Sequence, residues 1–217
     1  MPQLTALAQK RVENKVRQIA DATCPFVQDE WTEILDDVEF PKHLFDNQWQ
    51  WEGLSVVTRQ KEHWKQFRLP VEIDGDYELR IRATKLAGSD GLIVGLAKPA
   101  NYAEFLLACY DGKVSGICLV NGHEPDSDQN PSRVAAKELP TGRSFQLTLQ
   151  VANRGDQVQV TSLVENVRYS RWAGPVAALK PFRSTWTGSL FIRHCGAGME
   201  IQSVQLKLKS GAAWFIE

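Results

Sequence analysis

The chain has 217 residues and a formal charge of −1, with 43% hydrophobic and 24% charged residues. This composition is ordinary for one soluble globular domain, and the balanced charge argues against broad electrostatic binding of nucleic acid or of an anionic membrane. No apolar run approaches the ~20 residues of a membrane span. The four cysteines form no closely spaced pair, so we predict no zinc site, redox motif or other metal or cofactor; they are Cys24, Cys109, Cys118 and Cys195.

The first elements along the chain are predicted to be helices. Over residues 4–22 apolar side chains recur at spacings of three and four, which favours an amphipathic helix that Cys24-Pro25 ends; the stripe is Leu4, Ala8, Val12, Val16 and Ile19. A second short helix is predicted at 28–38. We assign residues 1–47 to an N-terminal helical segment. Its apolar stripe must be buried on the chain's own domain or against another chain, which would make a homo-oligomer.

The same N-terminal stretch also bears on location. Lys10, Arg11 and Glu13 interrupt its apolar residues, so it lacks the continuous apolar run of a signal peptide. A cytoplasmic location with free thiols is therefore expected.

After about residue 47 the period changes from 3.6 to 2. Apolar and polar residues alternate over 77–84, 145–151, 157–162 and 204–209, which is typical of half-buried antiparallel strands. Further strands are predicted at 52–59, 66–73, 91–97, 102–110, 113–120, 166–172 and 188–195. Turn residues separate them: Asp74-Gly75, Asp111-Gly112, Asn121-Gly122 and Arg154-Gly155-Asp156. The predicted fold is mainly β, a two-sheet antiparallel jelly-roll sandwich over residues 48–217.

Several stretches of the predicted sandwich are similar to a known family. They are Gly75–Arg80, Gly91–Leu96, Asn121-Gly122 with Asn130-Pro131, Arg171–Pro175 and Gln202–Gly211. Over about residues 48–211 the chain resembles bacterial laminin-G-like domains of the concanavalin A-like lectin/glucanase type, related to the 3-keto-disaccharide hydrolase group. The resemblance implies two packed antiparallel sheets with one concave face, and many such domains are non-catalytic sugar or protein binders. Because it rests on strand and turn features, it bears on fold more than on function.

Two acidic patterns are candidates for chemistry. Glu72, Asp74 and Glu78 resemble the alternating carboxylates of glycanases with this fold, but Asp74-Gly75 predicts a hairpin turn that separates the glutamates onto two strands. Glu124, Asp126 and Asp128 lie in the longest polar connection, within residues 121–142. They are either a calcium site or a solvated loop, and the spacing of an EF-hand is absent.

Seven tryptophans supply candidate sugar platforms. Trp64, Trp172 and Trp186 are predicted in or near loops and strand ends, where exposed rings would stack on sugars; core packing is the alternative for each. Strand parity also places Arg80, Arg82, Glu104 and Arg193 on the polar face of one sheet. We predict a non-catalytic module that binds carbohydrate or a protein partner. The alternatives are a glycoside-acting hydrolase or lyase and a structural subunit that assembles through its N-terminal helix.

Overall fold

The computed structural model describes residues 25–40, 42–44, 48–59, 65–100, 103–182 and 190–216. These residues form sixteen β-strands and two single-turn 3-10 helices, Leu35–Asp37 and Val176–Ala178. The strands are β1 (Trp31–Glu33), β2 (Gln50–Glu52), β3 (Ser55–Thr58), β4 (Gln66–Arg68), β5 (Val71–Asp74), β6 (Tyr77–Gly88), β7 (Leu92–Gly95), β8 (Glu104–Cys109), β9 (Val114–Ile117), β10 (Val134–Ala135), β11 (Ser144–Arg154), β12 (Gln157–Val164), β13 (Val167–Pro175), β14 (Phe191–His194), β15 (Ala197–Leu208) and β16 (Ala212–Phe215). No helix among the described residues is long and apolar enough to span a membrane.

The strands form two main sheets. The eight-stranded sheet has the order β13-β12-β11-β6-β15-β3-β2, with β1 also paired to β15, and the six-stranded sheet has the order β10-β9-β8-β7-β14-β4. A small third sheet pairs β5 with β16. All of these pairs are antiparallel, which confirms the predicted mainly-β sandwich.

The core lies between the two main sheets because each contributes one apolar face. On β6, Leu79 and Ile81 are fully buried while Arg80 and Arg82, at alternate positions, are not. Leu92, Val94, Phe105 and Leu107 supply the opposing face from β7 and β8. Each such side chain contributes roughly 1.5–3 kcal/mol through removal of apolar surface from water.

The predicted helices have different outcomes. The helix over 4–22 lies outside the described residues. The short helix at 28–38 is wrong: Trp31–Glu33 is a strand paired with β15, and a 3-10 turn follows it. The edge of β15 supplies the backbone partners that a helix would have satisfied internally, as in the bond from Ile34 N–H to Val204 O at 2.8 Å. Ile34 and Leu35 are fully buried, so this segment shares the core of the strands predicted for 48–217.

The turn predictions were correct where the flanking strands pair. Asp111-Gly112 joins β8 to β9, and Gly155 lies between β11 and β12. The hairpin at Asp74-Gly75 is wrong, because β5 pairs with β16 whereas β6 pairs with β11 and β15. Gly75 is required there by a close approach: a Cβ at this position would lie 2.0 Å from the backbone oxygen of Ser210.

Candidate functional site

The inner strands of the six-stranded sheet, β7, β8, β9 and β14, are buried on both faces. The inner face of the sheet joins the core, and its outer face, directed away from the eight-stranded sheet, holds a second apolar cluster: Ile93, Leu106, Cys109, Cys118, Phe182, Phe191 and Cys195. Alternation assigns these faces, since Leu92 and Val94 belong to the core while Ile93 belongs to the outer cluster. All six residues of β8 are consequently buried.

A cavity of about 720 Å³ opens on this outer face. We call it the outer-face cavity. Ile93, Leu106, Cys118 and Phe182 provide apolar lining. Its polar lining comes from the strand ends and the loop after β9: Asp90, Tyr110, Asp111, Lys113, Glu124, Asp126 and Arg133.

Buried hydrogen bonds order the long loop that provides the acidic rim. Asn130 Nδ2 donates to Ile117 O and to His123 O, both at 2.9 Å. Asn130 Oδ1 accepts from Ser132 N–H at 2.9 Å, and Ser132 Oγ accepts from Ile117 N–H at 2.8 Å. The long polar connection predicted within residues 121–142 is thus anchored to β9, which positions Glu124, Asp126 and Arg133 at the cavity.

The electrostatics of the outer-face cavity are dominated by carboxylates. Its two cations have acidic neighbours of their own: Lys113 Nζ lies 3.6 Å from Asp111 Oδ2, and Arg133 pairs with Asp128. Tyr110 donates to Glu124 Oε2 at 3.3 Å. Burial, followed by the charge of Asp126, raises the pKa of the Tyr110 hydroxyl, so this group stays protonated and able to donate.

Cys109 and Cys118 on this face are protonated and poorly nucleophilic thiols. Burial, together with the charges of Glu104 and Glu124, raises the pKa of Cys118. Burial likewise raises the pKa of Cys109, with the neighbouring Cys195 adding to the effect. Cys195 Sγ lies 3.6 Å from Asp90 Oδ2, to which it donates. Cys109 lies opposite Val114 in the β8–β9 hairpin, so Cys109 and Cys118 are not cross-strand neighbours.

Glu104 and Arg193 form a buried ion pair on the same outer face. Arg193 Nη1 donates to Glu104 Oε2 at 3.1 Å, and its Nη2 donates to Gln66 Oε1 at 2.6 Å. Burial raises the pKa of Glu104 to about 7 against the opposing effect of Arg193, and burial lowers the pKa of Arg193. The pair joins β8 to β14 and β4, so it links three strands of the sheet whose outer face carries the cavity.

The four ionisable residues predicted to share one sheet face are divided between the two main sheets. Arg80 and Arg82 lie on the polar face of the eight-stranded sheet, where Arg80 stacks 3.8 Å over the Trp31 ring and Arg82 Nε donates to Ser144 Oγ. Glu104 and Arg193 lie on the outer face of the other sheet. The interpretation that all four share one face is therefore wrong, because parity within a strand does not say to which sheet the strand belongs.

Of the three tryptophans predicted to form sugar platforms, only Trp172 lies among the described residues. Trp172 is 7% exposed and belongs to the core cluster, and a Cβ at Gly174 would lie 2.5 Å from its ring. It is thus a packing residue in this structure, which was the alternative interpretation. Trp64 and Trp186 lie outside the described residues. Phe182 and Tyr110 line the outer-face cavity, but neither was predicted from the sequence to be a binding residue.

The acidic patterns also separate in space. Asp128 pairs with Arg133, whereas Glu124 accepts from Tyr110 and lines the cavity with Asp126. Within the part of the chain that the structure describes, no three His, Cys, Asp or Glu side chains are arranged to hold a metal ion. Glu72 lies on β5 and Glu78 on β6, on different sheets.

Comparisons with known proteins bear on the fold. No family model and no curated protein matches the sequence. Among solved structures, lectin II from Ulex europaeus is 10% identical, with a TM-score of 0.50 over 86% of this chain and 99% of that chain. The carbohydrate-binding module CBM66 from Bacillus subtilis is 11% identical, with a TM-score of 0.43 over 84% and 99%. The exoplasmic/lumenal domain of VIP36, bound to Ca²⁺ and Man3GlcNAc, is 14% identical, with a TM-score of 0.48 over 75% and 84%.

At these identities a likeness concerns the fold alone. The likeness to the Ulex lectin together with the two antiparallel sheets defines the fold as a concanavalin A-like β-sandwich. The similarity to 3-keto-disaccharide hydrolases is not supported by any of the three structures named.

The covered outer face of the six-stranded sheet does have a signal in the sequence. The apolar runs Leu92–Val94 and Phe105–Ala108 lack alternation, as strands buried on both faces do.

Proposed function

We propose that this protein is a non-catalytic carbohydrate-binding module and that the outer-face cavity is its binding site. The observation that carries the proposal is the cavity itself, whose volume of about 720 Å³ falls within the ~300–1,000 Å³ of ligand sites. One solved structure that shares the fold is a lectin, which is in keeping with a sugar ligand.

The lining of the cavity suits a sugar because it combines two chemistries. Glu124 and Asp126 are hydrogen-bond acceptors for sugar hydroxyl groups, and hydrogen bonds to charged groups are worth about 1.5–3 kcal/mol each. Phe182 offers an aromatic surface on which the C–H face of a pyranose ring packs. Tyr110 holds Glu124 by a hydrogen bond and so orients one acceptor.

The binding-module interpretation is preferred over a glycoside-acting hydrolase or lyase on geometric grounds. Glu104, the carboxyl group that the enzyme alternative would use, has no exposure to solvent and is engaged by Arg193. Arg80 and Arg82 lie on the other sheet. A protein partner and an assembly role for residues 1–22 stay predictions.

The proposal is tested by a glycan array followed by isothermal titration calorimetry on the full chain. Glu124→Gln with Asp126→Asn should weaken binding of a glycan identified on the array by at least about tenfold, because both acceptors lose their charge. The matched control is Glu30→Gln with Asp74→Asn, which removes the same charge from exposed residues outside the cavity. The absence of any glycan ligand, or equal losses in both double variants, would overturn the proposal.

A further inference from the structure

A second cavity, of about 560 Å³, lies at the edge of the sandwich and shares only Ala135 with the lining of the outer-face cavity. We call it the edge groove. It is formed where β10 and residues 136–140, which follow the edge of the six-stranded sheet, meet β11, β12 and β13 of the other sheet. We propose that the edge groove binds a small amphipathic anion, an aliphatic carboxylate with its tail inside the groove and its head at the mouth.

The interior of the edge groove is apolar and continuous with the core. Leu107 is 1% exposed, Phe145 4% and Leu139 5%, and all three line the groove. Val164 and Val167 add apolar surface from β12 and β13, and Val167 is 70% exposed. An aliphatic chain placed here would cover surface that water now contacts, which is the favourable contribution of apolar burial.

The mouth of the edge groove is cationic. Lys137, Arg143 and Arg168 line it, and none of them forms an ion pair with a described residue. The two acidic residues of the groove are engaged elsewhere. Glu165 Oε1 accepts from Gln146 N–H at 3.0 Å, and Glu138 lies 3.9 Å from Lys85 Nζ.

Lys85 adds positive charge behind the groove. Its side chain is completely buried, and its ammonium group has no hydrogen bond among the described residues. Counting Lys85, four cations face two carboxylates in and behind the groove. This excess favours an anion over a neutral or cationic occupant of the same apolar shape.

The hydroxyl group of Tyr169 stabilises the wall of the edge groove through two hydrogen bonds. Tyr169 Oη accepts from Lys137 N–H at 2.9 Å and lies 3.4 Å from Ser115 Oγ. These contacts fix the Tyr169 ring in the wall of the groove. They also hold the segment that includes Lys137 against β13.

The test uses the full chain and decanoate, at concentrations at which decanoate does not form micelles. Calorimetry should give saturable binding of decanoate, and decyltrimethylammonium, which has the same tail and the opposite charge, should not bind saturably. Substituting Lys137→Gln, Arg143→Gln and Arg168→Gln together should weaken decanoate binding by about tenfold or more. The matched control is Lys98→Gln, Arg154→Gln and Lys180→Gln, three exposed residues outside the groove, and it should leave binding within about twofold.

NMR chemical shifts identify where decanoate binds. The largest changes are expected at Leu139, Phe145 and Val164. The proposal is overturned by no saturable binding, by equal binding of the cationic amphiphile, by equal loss in the two triple variants, or by shifts centred on Tyr110 and Phe182. Since decanoate and glycans are tested separately, failure here leaves the carbohydrate proposal intact.

Discussion

At the residue scale, Glu104 is a carboxyl group without solvent exposure that lies 3.1 Å from the guanidinium of Arg193. Its pKa of about 7 lies above its unfolded-state value because burial outweighs the attraction of Arg193. The folded protein therefore retains a proton that the unfolded chain releases. The stabilising contribution of this group is complete below the unfolded-state pKa and is lost as the pH rises through about 7.

Glu104→Gln removes this titration. Between about pH 5 and about pH 8 the free energy of unfolding of the wild type should fall by up to roughly 3 kcal/mol more than that of the variant. Denaturant unfolding at both pH values gives the comparison. Glu30→Gln, at an exposed position, is the control and should keep the wild-type slope. Equal slopes for Glu104→Gln and the wild type would show that Glu104 does not titrate in this range.

At the element scale, the loop after β9 is positioned by one amide and one hydroxyl group. Asn130 and Ser132 are both buried, and together they bond to Ile117 and His123. The close approach is visible at Gly116, where a Cβ would lie 2.8 Å from Ser132 O. Since Glu124 and Asp126 lie on this loop, its anchoring determines the shape of the acidic rim.

Asn130→Ala should lower the free energy of unfolding by roughly 2–4 kcal/mol, because it leaves several buried backbone groups without partners. It should also weaken binding of a glycan ligand, although Asn130 does not line the outer-face cavity. Limited proteolysis of the loop and calorimetry measure the two effects. Gln129→Ala, an exposed neighbour, should change neither quantity. Unchanged proteolysis in Asn130→Ala would mean that the loop is held by other contacts.

At the scale of the whole molecule, residues before 48 complete the sandwich. Trp31–Glu33 extends the eight-stranded sheet, and Phe26, Ile34 and Leu35 are core residues. A chain that begins at residue 48 would expose those contacts and the edge of β15.

Deleting residues 1–47 should therefore abolish cooperative thermal unfolding, whereas deleting residues 1–22 should lower stability or solubility only moderately. The expectation for the shorter deletion follows from the apolar stripe predicted over 4–22. Circular dichroism melting curves and oligomeric masses of the three chains give the answer. A cooperative transition in the chain that begins at residue 48 would contradict the structural role of 26–38.

The strands were predictable because alternation directly reports a half-buried face, as over 77–84 and 145–151. Two features were not. The sheet to which a strand belongs depends on long-range pairing, so Arg80 and Glu104 were placed together wrongly. The cavity depends on a loop held by Asn130, and nothing in the spacing of Glu124 and Asp126 indicates that they approach Tyr110 and Phe182.

NMR mapping of a bound glycan tests whether the outer-face cavity is the carbohydrate-binding site. The full chain is titrated with a glycan that it binds, and the shift changes are placed on the structure. If the cavity is the binding site, the largest changes fall at residues that line it, Tyr110, Glu124, Asp126 and Phe182. Changes centred on Arg80, Arg82 and Trp31 would instead place the binding site on the eight-stranded sheet and overturn the assignment to the outer-face cavity.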